Sequence, residues 1–308
     1  MIKLDYVTPG SDLGDISSPK PADSSQAVAF YHNSIQNYAP NMRLDISWRL
    51  DRSLPFWTVW QNNADSLRVD RDINVGNTPV GWGDIQRTVE QYRQFINQQV
   101  LDPTRQGKPI MVRPDMDNLM SGNSGNDLVA FNIHQRYSQT ILWIGAGANL
   151  IVGNDMTNLD RTGNTLLFNQ EVMNVASFTS NWPMVPKNPS DAPNPGGPDP
   201  YQLQTWICGP NEDGTAVVIL SNLGEDQCKD HECSYSTEWH GVHLVNITFN
   251  DLGIGGSSWW VRRVLGGKNA GSDFTDIGKS DVFLASYLDH YESVMYKLQR
   301  CGTAGAGC

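Results

Sequence analysis

The segment Met1-Ile2-Lys3-Leu4-Asp5-Tyr6 alternates apolar and charged residues, the period of a half-buried β-strand, and runs out into the turn Thr8-Pro9-Gly10-Ser11. A carboxylate therefore stands where a strand meets a loop. The arrangement recurs in Leu44-Asp45-Ile46-Ser47-Trp48, in Leu67-Arg68-Val69-Asp70-Arg71-Asp72-Ile73 and in Ile110-Met111-Val112-Arg113-Pro114-Asp115-Met116. Leu150-Ile151-Val152 reads as a fifth short strand, ending in Gly153-Asn154-Asp155. Helical spacing fills most of the gaps. Ala27, Phe30, Tyr31, Ile35 and Tyr38 share a helix opened by Ser24-Ser25-Gln26, and residues 83–101 form a second, clearly amphipathic one. Asn126-Asp127 is placed to cap a long helix reaching about Ala146, and a last helix is expected near 163–175. Strands alternating with helices predict a parallel sheet over residues 1–180.

Residues 181–200 are rich in proline and read as a linker. Beyond them the period changes to two. Gln202–Ile207, Ala216–Leu220, Val242–Phe249, Trp259–Leu265 and Glu292–Leu298 read as antiparallel strands, separated by turns such as Asn211-Glu212-Asp213-Gly214. A β-sandwich over 201–301 is expected, with a tail at 302–308.

The chain has 308 residues, of which 39% are hydrophobic with ten Trp and nine Phe, enough for a sizeable core. Its formal net charge of -11 argues against nucleic acid or an anionic membrane surface as partner and suits a neutral substrate. Charged residues make up only 18%, and Gly, Asn, Ser and Thr are plentiful, an extracellular composition. The chain contains no apolar run long enough to span a membrane and no leader pattern at Met1. Five cysteines all lie beyond residue 207; Cys228 and Cys233 are expected to form a local disulfide, and the odd count leaves one thiol over. Asn246-Ile247-Thr248 is a glycosylation sequon.

In a (β/α)8 barrel the C-terminal strand ends converge on one face, where chemistry is placed. Two carboxylates across such a face can hydrolyse a glycoside, standing about 5–5.5 Å apart when the reaction retains configuration. Asp5 and Asp72, two strands apart in order, are the candidate pair. Lys3 lies on the side of Asp5 and is expected to hold it ionised; Arg68 and Asp115 are placed to bind sugar hydroxyls, and Trp48 and Trp57 to offer flat faces to a ring. Any one strand-end Asp can equally be a turn former or a helix cap; recurrence on four successive strands is what argues for a site. Gly145-Ala146-Gly147 reads as close helix packing, not as a dinucleotide motif. Asp115-Met116-Asp117-Asn118 lacks the spacing of a calcium loop.

The series Ile2–Asp5, Ile46–Trp48, Arg68–Ile73, Arg113–Met116 and Leu150–Asp155, followed by Asn169-Gln170-Glu171-Val172, resembles glycoside hydrolase family 27, the α-galactosidase and melibiase family. The resemblance implies an α/β fold, a (β/α)8 barrel followed by an antiparallel β domain, secretion, and no metal or cofactor. It implies hydrolysis of terminal α-linked galactose with retention, with Asp5 as nucleophile and Asp72 as acid/base. Lys3, Ser47, Trp48, Leu50, Arg68, Asp115 and Met116 match substrate-pocket positions. Ser47 resembles the pattern that leaves room for an acetamide, whereas Leu50 resembles the bulkier galactosidase wall. The family's nucleophile lies on its fourth barrel strand, so the resemblance covers strands 4–8 only, and an N-terminally truncated member is expected. Tyr6 stands near the place where members usually carry a cysteine. A catalytically dead or merely sugar-binding remnant, and the sister activities on α-linked N-acetylgalactosamine or β-L-arabinopyranose, are the competing expectations.

Overall fold

The computed structural model describes residues 1–10, 23–48, 50–74, 79–100, 112–123, 131–187, 202–227, 240–267, 273–302 and 308. Four three-residue strands, β1 (Ile2–Leu4), β2 (Leu44–Ile46), β3 (Ser66–Arg68) and β4 (Arg113–Asp115), form a parallel sheet in that order. The expected fifth strand is reduced to a single parallel bridge between Val152 and Leu119. Helices α1 (Ser25–Tyr38), α2 (Phe56–Asn63) and α3 (Trp82–Val100) connect the strands.

Because side chains alternate across a sheet, the register sorts them into two sets. Leu44, Ile46 and Leu67 are fully buried, in one core with Val28 and Ile35 of α1 and Trp60 of α2. The other face is polar. Lys3 pairs with Asp45, Asp45 with Ser66, and Arg68 with Asp115, so these five share one side of the sheet.

The second half holds β5 (Val185–Lys187), β6 (Leu203–Cys208), β7 (Thr215–Asn222), β8 (His243–Thr248), β9 (Trp259–Gly266), β10 (Thr275–Ser280), β11 (Phe283–Leu288) and β12 (Glu292–Arg300). Six of them form a sheet in the order β10-β9-β12-β7-β6-β5, and β11 pairs with β8. Alternation divides the six-stranded sheet cleanly. Ala216, Val218 and Leu220 of β7 and Val294, Tyr296 and Leu298 of β12 pack with Val245 and Ile247 of β8 in one core. Val217 and Ile219 of β7 and Met295 of β12 point the other way, into the core of the parallel-sheet half.

What they meet there is α4 (Ile133–Gly145), a helix buried on nearly every side. Its polar residues are bonded, as burial demands. Arg136 clamps Asp160 at 2.7 and 2.8 Å, Ser138 donates to the Tyr291 carbonyl at 2.6 Å, and Trp143 Nε1 donates to the Asp117 carbonyl at 3.0 Å. The helix starts later than expected. Asn132 accepts from the Gln135 amide while the Gln135 side chain accepts from the Asn132 amide, a capping box that outranks Asn126-Asp127, which lies outside the described residues. The single helix expected near 163–175 is two, α5 (Arg161–Phe168) and α6 (Gln170–Thr179), broken where the Asn169 side chain caps the second. Glu171 of α6 then grips Arg262 of β9 through two bonds of 2.6 and 3.0 Å.

Part of the proline-rich stretch is not a linker: Val185–Lys187 pairs with β6. Pro186 hid this, since proline is tolerated only on an edge strand, and β5 is one. Cys301 and Cys308 are disulfide-bonded, and Cys208 is a buried free thiol whose pKa burial pushes up. Cys228 and Cys233 lie outside the described residues.

Gly145 lets α4 pack tightly against the six-stranded sheet. A Cβ there would stand 2.3 Å from Ile219 Cδ1 and 2.8 Å from Met184 Sδ. Gly145→Ala is therefore expected to overpack this seam and cost about 1–3 kcal/mol, read as a lowered urea midpoint at unchanged m-value.

Candidate active site at the strand ends

Arg68 is the hub. It sits at the end of β3 with its side chain 3% exposed. Its Nε donates to Asp115 Oδ2 at 3.0 Å, and its Nη1 reaches Asp72 Oδ1 at 2.6 Å and Asp117 Oδ2 at 3.0 Å. One guanidinium thus ties together β3, the loop after it and the end of β4. The flanking carboxylates hold it firmly protonated against the cost of burial.

Asp115, fully buried, accepts from Arg68 through one oxygen and from the Asp117 amide, at 2.8 Å, through the other. Asp117 in turn accepts from the Ile73 amide at 2.9 Å. That bond fixes the backbone next to Asp72, whose side chain remains 63% exposed. Burial raises the pKa of Asp117, opposed by Arg68. Asp45 of β2 is also fully buried, its Oδ1 accepting from Ser66 Oγ at 2.5 Å; the Ser66 hydroxyl is itself held by Asn149 Nδ2 at 2.8 Å. Desolvation first, and the Asp115 charge second, push Asp45 up to about 7.

The expected residues divide accordingly. Asp5 leaves the end of β1 exposed, and Asp72 is exposed beyond β3. Lys3 Nζ lies 4.0 Å from Asp115 Oδ2, which directs its charge toward the buried end of β4. The Arg68 fork is spent on protein carboxylates, and Asp115 is sealed in the floor. Met116 (0%) and Leu50 (5%) are buried in the core, and Ser47 is 2% exposed. Trp57 is not a sugar platform: it is 6% exposed, edge-on to Phe95. Trp48 fits the expectation better, half-buried with its ring 4.8 Å from that of Tyr6, which is 72% exposed.

Two residues that sequence reasoning did not single out carry much of the geometry. Asp117 drew notice only as part of a rejected calcium motif. Asp45 left a signal, a charge between Leu44 and Ile46 in a strand otherwise apolar. A third feature was invisible. Tyr6, Trp48 and Asp117, each just beyond a strand, have positive φ of 58°, 124° and 66°. Backbone strain of this kind clusters where side chains are aimed for function.

No family model matches the chain. It is 37% identical over 307 residues to α-galactosidase 3 of Hypocrea jecorina, covering 97% of this chain and 45% of that protein. It is 39% identical over 260 residues to putative α-galactosidase 8 of Emericella nidulans, covering 84% of this chain and 50% of that protein. Among solved structures, α-galactosidase I of Mortierella vinacea matches with a TM-score of 0.62 at 16% identity, over 98% of this chain and 69% of that one. A family 27 β-L-arabinopyranosidase of Geobacillus stearothermophilus, in complex with arabinose, matches with a TM-score of 0.66 at 17% identity, over 97% of this chain and 58% of that one. The chain spans about half the length of the curated relatives it matches. Over most of its own length the chain is therefore homologous to about half of each of two proteins named as α-galactosidases.

Proposed function

We propose that these residues supply the catalytic carboxylates of a retaining exo-glycosidase acting on terminal α-linked galactose. The observation that carries the reading is the Arg68 hub, which holds Asp72 at the strand ends while Asp5 stands exposed two strands away. Asp5 attacks the anomeric carbon. Asp72 protonates the leaving oxygen and then takes a proton from the incoming water. The 2.6 Å bond from Arg68 fixes the Asp72 carboxyl at the end of β3. Trp48 and Tyr6 stand together beyond the ends of β2 and β1, where a sugar ring would meet them.

The four parallel strands and the Val152 bridge are read as strands 4–8 of a (β/α)8 barrel, with residues 1–180 as part of the catalytic unit and 201–301 as the β domain. On this reading the other barrel strands come from sequence corresponding to the rest of the relatives. Secretion is part of the proposal. Among the described residues no helix is long and apolar enough to cross a membrane, and Asn246 of the sequon points outward from β8, exposed. Loss of mass on endoglycosidase treatment of protein from a eukaryotic secretory host tests that part.

The central test is release of nitrophenol from nitrophenyl α-galactoside. It is run on these 308 residues and on the same residues joined to the preceding half of the H. jecorina relative. Turnover by the joined protein that vanishes with Asp5→Asn is the expected result. A folded, joined protein that is inert on the α-galactoside overturns the proposal. The α-N-acetylgalactosaminide is run beside it because Ser47 and Leu50 resemble different family patterns for the sugar's second position, and the β-L-arabinopyranoside, which lacks the group that galactose carries on C5, because a protein of similar fold has that activity.

A further inference from the structure

We infer that Asp45 is a positioning residue that stores a proton beneath the active site, donating it to Asp115 so that Asp115 keeps hold of Arg68. The inference rests on the glycosidase reading for its catalytic consequence, though not for its structural one.

Charge balance makes the case first. Three carboxylates, Asp45, Asp115 and Asp117, are buried at this end of the parallel sheet. Facing them are Arg68, also buried, and Lys3, which is one-third exposed and no nearer than 4.0 Å to Asp115. Ser66 is neutral, and Arg113, its register partner on β4, is exposed. On the far side of β2, α1 carries no Asp, Glu, Lys or Arg, and its His32 ring is engaged by the Asn63 carbonyl at 3.1 Å. Ionising all three carboxylates leaves the floor short of positive charge in a medium that screens poorly.

Hydrogen bonding then says which carboxyl takes the proton. Both oxygens of Asp115 accept from donors, and Asp117 accepts from Arg68 and from the Ile73 and Asn118 amides. Asp45 Oδ1 accepts from Ser66, but Asp45 Oδ2 is buried with no donor to accept from. A carboxylate oxygen left so is costly. A protonated Asp45 becomes a donor, and Asp115 is the carboxylate beside it that can accept. One proton satisfies both groups and removes one like charge.

The sign follows by linkage. The carboxyl keeps its proton to about pH 7 in the folded protein, against a usual value of 3.8. Between those limits the unfolded chain has lost the proton and the folded one has not, so Asp45 lowers stability progressively as pH rises. Above the upper limit, ionised Asp45 competes with Asp115 for the cations, and the tie from Asp115 to Arg68 and Asp72 loosens.

The experiment compares the 308-residue chain with Asp45→Asn and Asp45→Ala by melting from pH 4 to 8.5. The Asn side chain keeps the acceptor for Ser66 and offers Asp115 a permanent N–H. Asp45→Asn is expected to match the parent near pH 4 and to melt several degrees higher at pH 8. Asp45→Ala, which offers Asp115 nothing, is expected to melt lower near pH 4. In the active, joined protein, Asp45→Asn should retain turnover and extend the alkaline limb of kcat/KM, which a merely structural role would not move. Carboxyl NMR of the parent, with Asp45 assigned by difference, should show a group titrating near neutrality. Asp45 titrating below pH 5, or Asp45→Asn melting lower by the same amount at every pH, overturns the inference. An inert joined protein with the expected melting and titration overturns the glycosidase reading alone.

Discussion

Arg68→Met is expected to cost about 3–5 kcal/mol of folding stability, the penalty for stranding buried carboxylates by removing their cation. Asp115 and Asp117, at 0% and 8% side-chain exposure, lose the guanidinium that lies 3.0 Å from each. Methionine fills the apolar volume of the stem, so the loss reports charge and not a cavity. The deficit should shrink at low pH. Once the cation is gone, neutralising a stranded buried carboxylate relieves the penalty as pH falls. Arg68→Lys should recover only part of the loss, because one ammonium cannot reproduce a fork that engages three carboxylates. Urea denaturation at pH 7 and pH 4.5 measures both effects; equal losses at the two pH values would contradict the charge argument.

The largest effect on turnover belongs to the exposed pair. Asp72→Asn, in the active, joined protein, is expected to slow hydrolysis of natural α-galactosides by about 10²–10⁴-fold, the usual weight of a general acid–base group. Nitrophenyl α-galactoside should be spared more at the first step, since its leaving group needs little protonation. Asp5→Asn should abolish turnover of both, because no leaving group compensates for a missing nucleophile. Neither change should shift the melting temperature by more than a degree or two, since Asp72 is 63% exposed and Asp5 is exposed. Equal slowing of both substrates by Asp72→Asn would move the acid role to another residue.

The alternation in Ile2–Asp5 and the apolar cores of the next three strands were enough to place the parallel strands, because a strand with one buried face declares itself by period. β10 did not. Its sequence Thr275-Asp276-Ile277-Gly278-Lys279-Ser280 is mostly exposed, with a register shift between Asp276 and Gly278, so no side-chain period marks it and only its ladder with β9 does. The strand-end positions of the expected residues were legible and their wiring was not. Arg68 and Asp115 were placed correctly at the strand ends, yet their side chains bind each other instead of standing ready for a sugar. Sequence spacing gives Arg68–Asp72 as an i,i+4 pair, but the partnership of Arg68 with Asp115 and Asp117 crosses 47 and 49 positions and depends on strand order. Of the three positive-φ residues at the strand ends, only Asp117 is of a type that favours that backbone, and Tyr6 and Trp48 carry no sequence mark of it.

The alternating faces of β7 and β12 have a consequence for how this protein can change over time. Val217, Ile219 and Met295 belong to the same core as Trp143 of α4 and Tyr92 of α3. The six-stranded sheet is thus a wall of the first half's interior, not an appended cassette. A swap of the β region between homologues would carry in one side of a close-packed seam without the other, the packing of Ile219 on Gly145 included. Exchange at this boundary is therefore constrained to pieces that bring α4 along, and inherited changes in α4, β7 and β12 are expected to travel as a set.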